Sequence, residues 1–244
     1  MNGVSFAPDG SLVTANDDGR VVLWDVDSQR VREEYRFFEE PTDGAAWVGA
    51  PVRAVVSPDG TRLAVGLGNL GASQEVAVLD VETGRRLWTR TGDEFMTVPA
   101  WSPDSDVVAL GGWQDGALIL RDASSGVRRL EPVNANAGFV LTVGFTPDGA
   151  TVVTGGTDGT VRLWDVDTLK QIGSNLPHPE NEWAPAMVVG RDQVLAISAV
   201  GKLYRWDLDP RRWAEQACLV ANRTLTPSEW RLFLPGLEYA AACR

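Results

Sequence analysis

One histidine, two cysteines and a regular series of aspartates are the residues of this 244-residue chain whose types could do chemistry. His178 stands between Pro177 and Pro179. A single imidazole excludes most general-base and metal schemes, and its proline neighbours mark a loop. Cys218 and Cys243, with that one distant histidine, do not make a four-ligand zinc site. No basic, apolar leader follows Met1, so the two thiols are expected to be reduced and packed rather than bridged. Asp25-Val26-Asp27 and Asp165-Val166-Asp167 alternate as calcium loops do, but each closes a strand and reads as a turn. The Gly-rich stretch LGNLGASQ lacks the lysine and the strand–helix context of a phosphate loop. No G-x-S-x-G elbow, P-loop or H-E-x-x-H occurs. The expectation is therefore no catalytic residue, no metal and no cofactor. Recognition remains: Trp47, Trp113 and Arg53 are of the types that dominate interfaces.

The elements that must carry these residues follow from a repeat. Five hydrophobic strands run into turns centred on Asp9, Asp59, Asp104, Asp148 and Asp192. Each is followed 15 to 21 residues later by a second aspartate, at Asp25, Asp80, Asp122, Asp165 and Asp207. Turn-to-turn spacing is 50, 45, 44 and 44 residues, and the second series keeps 55, 42, 43 and 42. The fourth unit, Val140 to Ile172, is the cleanest. Val140, Val143 and Phe145 lead into Pro147-Asp148-Gly149, where proline fixes φ and glycine accepts φ > 0. A β-branched strand, an Asp158-Gly159 hairpin turn, the alternating TVRLWD and a short outer strand LKQI complete four antiparallel strands.

Formal charge is −11, which argues against nucleic acid or an anionic membrane as partner, because phosphate binding needs a concentrated positive field. No apolar run reaches 18 residues, so no membrane span is expected, and the location is expected to be cytoplasmic.

Proline-Asp-Gly, then Asp-Gly, then V-R-L-W-D resembles the WD-repeat pattern over nearly all of residues 1–210. The resemblance implies an all-β WD40 β-propeller with five recognisable blades, at about 1–47, 48–95, 96–139, 140–183 and 184–210. The second unit carries Leu79 in the Trp slot, the third Arg121, and the fifth Val200-Gly201 in place of Asp-Gly. In this family a buried hydrogen-bonded set often joins a His at the blade's start, a Ser/Thr on the second strand, the hairpin Asp and the Trp. The resemblance carries this onto Thr14, Asp18 and Trp24, and onto Thr154, Asp158 and Trp164, without a histidine in either. Asp18, Trp24, Asp25, Asp158, Trp164, Asp165, Trp206 and Asp207 are accordingly expected to be structural repeat residues.

Five units fall short of the seven blades usual for the family, and after WDLDP the chain reads as helical. The five are read first as the C-terminal part of a seven-bladed ring within a longer polypeptide. The alternatives are a five-bladed ring, or two chains completing each other as a homodimer. Residues 211–244 read as a short helical cap, with Thr226 at an N-cap, Pro227 at N1 and Glu229 at N3. Their pattern, on Cys218, Ala221, Arg223, Leu225, Thr226, Glu229, Trp230, Leu234, Pro235, Gly236, Tyr239 and Cys243, resembles the tail of actinobacterial WD-repeat proteins of the STAND class. That implies nucleotide-binding and effector modules upstream.

In the family, partners often bind the loops at one face, here roughly 39–51, 66–74, 91–97, 112–115, 132–139, 155–158 and 175–185. Trp47 and Trp113 fall in them without recurring, with burial between blades as the competing reading. Phe95, Phe139 and Trp183 share one slot, nine residues before the turn Asp, and are expected to pack between blades. The function expected is a non-catalytic scaffold for a protein or peptide, at the sensor or regulatory end of a larger bacterial signalling protein. The alternatives are a free-standing scaffold completed by dimerisation and, least supported, a propeller enzyme.

Overall fold

The computed structural model describes residues 3–16, 20–36, 53–67, 75–91, 96–112, 116–177, 183, 186–209, 212, 218–219 and 226–228. Its strands form five antiparallel meanders. Sheet 1 holds β1 (Gly3–Phe6), β2 (Leu12–Ala15), β3 (Arg20–Asp25) and β4 (Arg30–Arg36). Sheet 2 holds β5 (Arg53–Val56), β6 (Arg62–Leu67), β7 (Glu75–Asp80) and β8 (Arg86–Thr91). Sheet 3 holds β9 (Met96–Trp101), β10 (Val107–Gly112), β11 (Ala117–Asp122) and a two-residue β12 (Val133–Asn134). Sheet 4 holds β13 (Val140–Phe145), β14 (Thr151–Gly156), β15 (Thr160–Asp165) and β16 (Gln171–Pro177). Sheet 5 holds β17 (Ala186–Val189), β18 (Gln193–Ile197) and β19 (Leu203–Asp207). The fold is all-β and WD40 propeller-like. The outer strand of sheet 4 starts later than the expected LKQI and runs on to Pro177, because Lys170 belongs to the turn that closes on Asp165.

Alternation with period two gives every sheet two apolar faces, and the core lies between sheets. Val13, Val21 and Leu23 of sheet 1 pack on Val56, Leu63 and Leu79 of sheet 2. The scheme repeats as Val76 and Val78 against Trp101 and Ile119, Leu118 and Leu120 against Phe145 and Trp164, and Val161 and Leu163 against Val194 and Ala196. The inner strands β1, β5, β9, β13 and β17 neighbour one another in that order.

The carboxylates of Asp9, Asp59, Asp104 and Asp148, and those of the whole second series, anchor turns. In three units a hydroxyl two residues before the first aspartate cross-links the turn. Ser57, Ser102 and Thr146 donate to Asp59, Asp104 and Asp148 at 2.5, 2.5 and 2.6 Å, and accept the N–H five residues on. In the second series Asp25 accepts from Ser28 N–H, Asp80 from Thr83, Asp122 from Ser124 and Ser125, and Asp165 from Thr168. Arg121, in the third unit's Trp slot, is buried and donates to Gly126 O at 2.8 Å.

Of the tail, Arg212, Cys218, Leu219, Pro227 and Ser228 have helical backbone and Thr226, just before Pro227, does not; the other residues of the expected cap lie outside the described residues. Cys218 is disulfide-bonded, and Cys243 is the chain's one other cysteine. This corrects the expectation of reduced thiols, which rested on compartment and not on geometry.

Candidate partner-binding face

The best-defined part of the loop face is the junction of 132–139 with the hairpin between β14 and β15. Asp158 holds it together. Its carboxylate accepts from Ala137 N–H at 2.8 Å, Asn136 Nδ2 at 3.0 Å, Thr160 Oγ1 at 2.8 Å, Thr160 N–H at 3.1 Å and the Arg162 guanidinium at 2.8 Å. Burial by itself raises the pKa of this carboxyl, but the donors from Ala137, Asn136 and Thr160 outweigh it and hold the group below the usual range. Arg162 also donates to Ala135 O at 2.7 Å, and Gly116 O accepts from Ala135 N–H at 2.8 Å, which ties sheet 3 to the same loop. Two glycines permit this closeness. A Cβ on Gly116, at φ +65, would stand 2.2 Å from Asn136 O, and one on Gly156 would stand 2.7 Å from the Asn136 side chain.

Asn136 is the residue that sequence reasoning missed. It is buried four residues before the fourth unit begins at Val140 and gives Asp158 the hydrogen bond a histidine gives in the family's set. The signal lies in its position alone, because an amide there supplies the N–H that a histidine would. The Trp ends of the two sets are in place, with Trp24 Nε1 donating to Thr14 Oγ1 at 2.9 Å and Trp164 Nε1 to Thr154 Oγ1 at 3.0 Å. Trp206 is half-buried, stacked on Tyr204 with ring centroids 6.1 Å apart. Asp207 accepts from Asp209 N–H at 2.9 Å and from Arg212 at 2.7 Å.

Trp47, Trp113 and Asp18 lie outside the described residues. Arg53 opens β5 and is half-buried; desolvation lowers the pKa of its guanidinium. No hydrogen bond or ion pair reaches its side chain among the described residues.

The aromatic slot differs from expectation. Trp183 is 54% and Phe139 37% exposed, so neither is closed off between blades. The backbone explains this. Phe139 O accepts from Thr157 N–H at 3.0 Å and Trp183 O from Ala199 N–H at 3.2 Å, which clamps both residues against their own blade's hairpin end. The side chains thus leave at the rim, beyond the interblade core.

On the opposite face a cleft of about 530 Å³ lies between sheets 4 and 5, lined by Thr146, Asp148, Leu163, Ile172, Arg191 and Asp192. Its Asp148 already accepts from Thr146 Oγ1 and Ala150 N–H, which hold its pKa down as a turn anchor. Among the described residues no three His, Cys, Asp or Glu side chains gather as a metal site, and no helix is long and apolar enough to cross a membrane.

The family profile described as "WD domain, G-beta repeat" matches residues 1–25 and 129–165. The human Echinoderm microtubule-associated protein-like 2 is 29% identical over 181 residues, 73% of this chain and 26% of that protein. Cell division cycle 20.1, cofactor of APC complex, from Arabidopsis thaliana is 27% identical over 150 residues, 61% of this chain and 30% of that protein. The chain thus spans between a quarter and a third of the length of these relatives. Among solved structures, a chain in the crystal structure of a mitotic checkpoint complex superimposes with TM-score 0.69 at 20% identity, covering 85% of this chain and 62% of the other. In sequence over the two matched segments, and in fold across the described sheets, this chain is similar to WD-repeat propellers.

Proposed function

We propose that the chain is a non-catalytic protein-interaction scaffold that binds a protein or peptide through the loop face of sheets 4 and 5. WD40 proteins generally act in this way, and the relatives' names point the same direction: one is a cofactor of a complex, and the solved neighbour sits in one. The observation that carries the reading is the Asp158-locked loop, which leads into Phe139, an aromatic exposed as Trp183 is at the equivalent position of the next blade. A pre-formed loop loses little entropy on binding, and exposed aromatics supply most of the contact energy. Arg53 stands as a further anchor, with Trp47 and Trp113 as candidates that the sequence places in loops of the same kind. Residues 1–210 form the repeat region and 211–244 a cap in this reading. The larger context, a regulatory end of a cytoplasmic bacterial signalling protein of the STAND type, rests on the tail resemblance.

The test is affinity capture from the source cell with three baits: wild type, Trp183→Ala with Arg53→Ala, and Arg191→Ala on the opposite face as control. A protein held by wild type and by the control, and lost from the loop-face bait, supports the reading. An identical captured set for all three baits sinks it. The context is tested separately by an immunoblot against the 211–244 tail, where a band well above 26.4 kDa supports the larger protein and a band at 26.4 kDa rules it out.

A further inference from the structure

The cleft of about 530 Å³ between sheets 4 and 5 has filled counterparts at earlier junctions. At the first two, an aromatic of the outer strand reaches the residue that follows the second-series aspartate of the next sheet. Tyr35 of β4 donates to Val81 O at 2.6 Å, and Trp88 of β8 donates to Ala123 O at 2.8 Å. Both rings are buried. At the third junction Leu130 joins the cluster that holds Val166 and Leu169. At the fourth, Ile172 takes the place of Trp88. The two hold one register, opposite Leu163 and Val78, each of which stands two residues before its aspartate. Trp88 is 6% exposed and Ile172 37%. The carbonyl equivalent to Ala123 O is Leu208 O. Leu208 N–H is tied to its own sheet's first turn as Ala123 N–H is, through Asp192 O at 2.7 Å and Asp106 O at 2.9 Å respectively. Leu208 lines the cleft, and among the described residues its carbonyl receives no side-chain donor.

The second junction also shows what belongs beside the ring. Arg90 stands two residues after Trp88, with its guanidinium 5.9 Å from the indole centre and donating to Ser125 O at 3.2 Å. In the cleft a cation is called for by charge. Asp148, Asp192 and Asp209 line it against one guanidinium, Arg191, and the nearby Arg212 is engaged by Asp207 at 2.7 Å. An excess of carboxylates around a partly apolar cleft draws a positive group. The cleft opens on the side of sheet 5 that faces sheet 4, so a further sheet packed on the other side would leave it as it is.

We infer that this cleft docks an extended peptide segment of a partner protein, one that carries tryptophan or tyrosine with a basic residue two positions on. The ring lies over Ile172, Leu163 and Leu208 and donates to Leu208 O, as Trp88 and Tyr35 donate at their junctions. A buried indole N–H or phenol O–H needs such an acceptor. The basic head stacks on the ring as Arg90 does on Trp88, and meets Asp192 and Asp209. The partner thus supplies from outside the pair of side chains that β8 supplies from within. This site stands apart from the loop-face reading, because it lies on the opposite face.

The test follows the methyl NMR signals of the 244-residue chain during titration with the capped peptide Gly-Trp-Thr-Arg-Gly, whose core repeats β8. The ring current of a bound indole should move the methyls of Ile172, Leu163 and Leu208 upfield. Gly-Trp-Thr-Glu-Gly should bind about 10-fold more weakly, and Gly-Ala-Thr-Arg-Gly should leave those methyls in place. Asp192→Asn should weaken the first peptide about 3-fold, whereas Arg191→Ala, which keeps the carboxylates, should bind it at least as well. Ile172→Trp fills the cleft from within and should abolish the response. The loop-face variant, Trp183→Ala with Arg53→Ala, should respond as wild type does. Methyls unmoved at about 10 mM of the first peptide overturn the inference, since the cleft is then closed to partners. Equal affinity for the Arg and Glu peptides overturns it too, as does a response lost from the loop-face variant, which would place binding on the other face. If Ile172→Trp fails to fold, Asp192→Asn and the peptide pair decide.

Discussion

Replacing Asp158 by alanine removes the acceptor on which the loop junction converges. The Asp158 and Arg162 side chains are 11% and 14% exposed, so their ion pair is little weakened by solvent. Removing one partner of such a pair costs about 3–5 kcal/mol, because the other charge is left buried and unpaired. The Asn136 amide and Ala137 N–H lose their acceptor as well. For a chain of this size each kcal/mol shifts Tm by about 2–4 °C, so a fall of about 6–20 °C is expected. Urea unfolding followed by tryptophan fluorescence gives the free energy, and a cycle with Arg162→Met isolates the pair. The sign with pH follows from the depressed carboxyl. Its stabilisation is complete above the unfolded-state value near ~3.9 and is lost as pH falls through the lower folded-state value. The gap between wild type and variant should therefore be widest near neutrality and close below that range. A loss under about 1 kcal/mol at pH 7, or a gap that persists unchanged in acid, would refute the account.

Three further outcomes are expected. Gly126→Ala, at φ +68 with a Cβ that would fall 2.6 Å from the Trp88 ring, should destabilise well beyond Gly10→Ala, at φ +85 with open space around it. The open site should cost about 1 kcal/mol of backbone strain alone, and equal urea midpoints for the two would remove the steric argument. Trp164→Phe and Thr154→Val should each cost about 1–2 kcal/mol by breaking one buried hydrogen bond, and the double variant less than their sum; strict additivity would mean the two do not act as a pair. Iodoacetamide should label Cys218 after reduction and not before, read by peptide mass; labelling without reductant would contradict the disulfide.

The blade architecture was legible because its determinants are local. The carboxylates of Asp9, Asp59, Asp104 and Asp148 each accept from a group two residues away, so spacing alone identifies them, as Asp148 with Thr146 and Ala150 shows. The site was less legible because its determinants meet across the sequence. Asn136 and Asp158 are 22 residues apart, and no period links an asparagine to the role of a histidine. The exposure of Trp183 and Phe139 is hidden from the sequence for a related reason. Recurrence at one slot shows that a position is equivalent between blades, but it does not say whether that position points into the core or out at the rim.

The sheet-by-sheet order of packing bears on how the chain is made. Each core cluster joins sheets that are consecutive in sequence, so a sheet leaving the ribosome finds its docking surface already synthesised. Vectorial folding of this kind needs no distant segment to arrive before a unit can settle. The same order makes the molecule unequal along its length. Among the described residues, sheets 2 to 4 are clasped from both sides and sheets 1 and 5 from one, so amide hydrogens should exchange faster in sheets 1 and 5 and slowest in β10, β11 and β14.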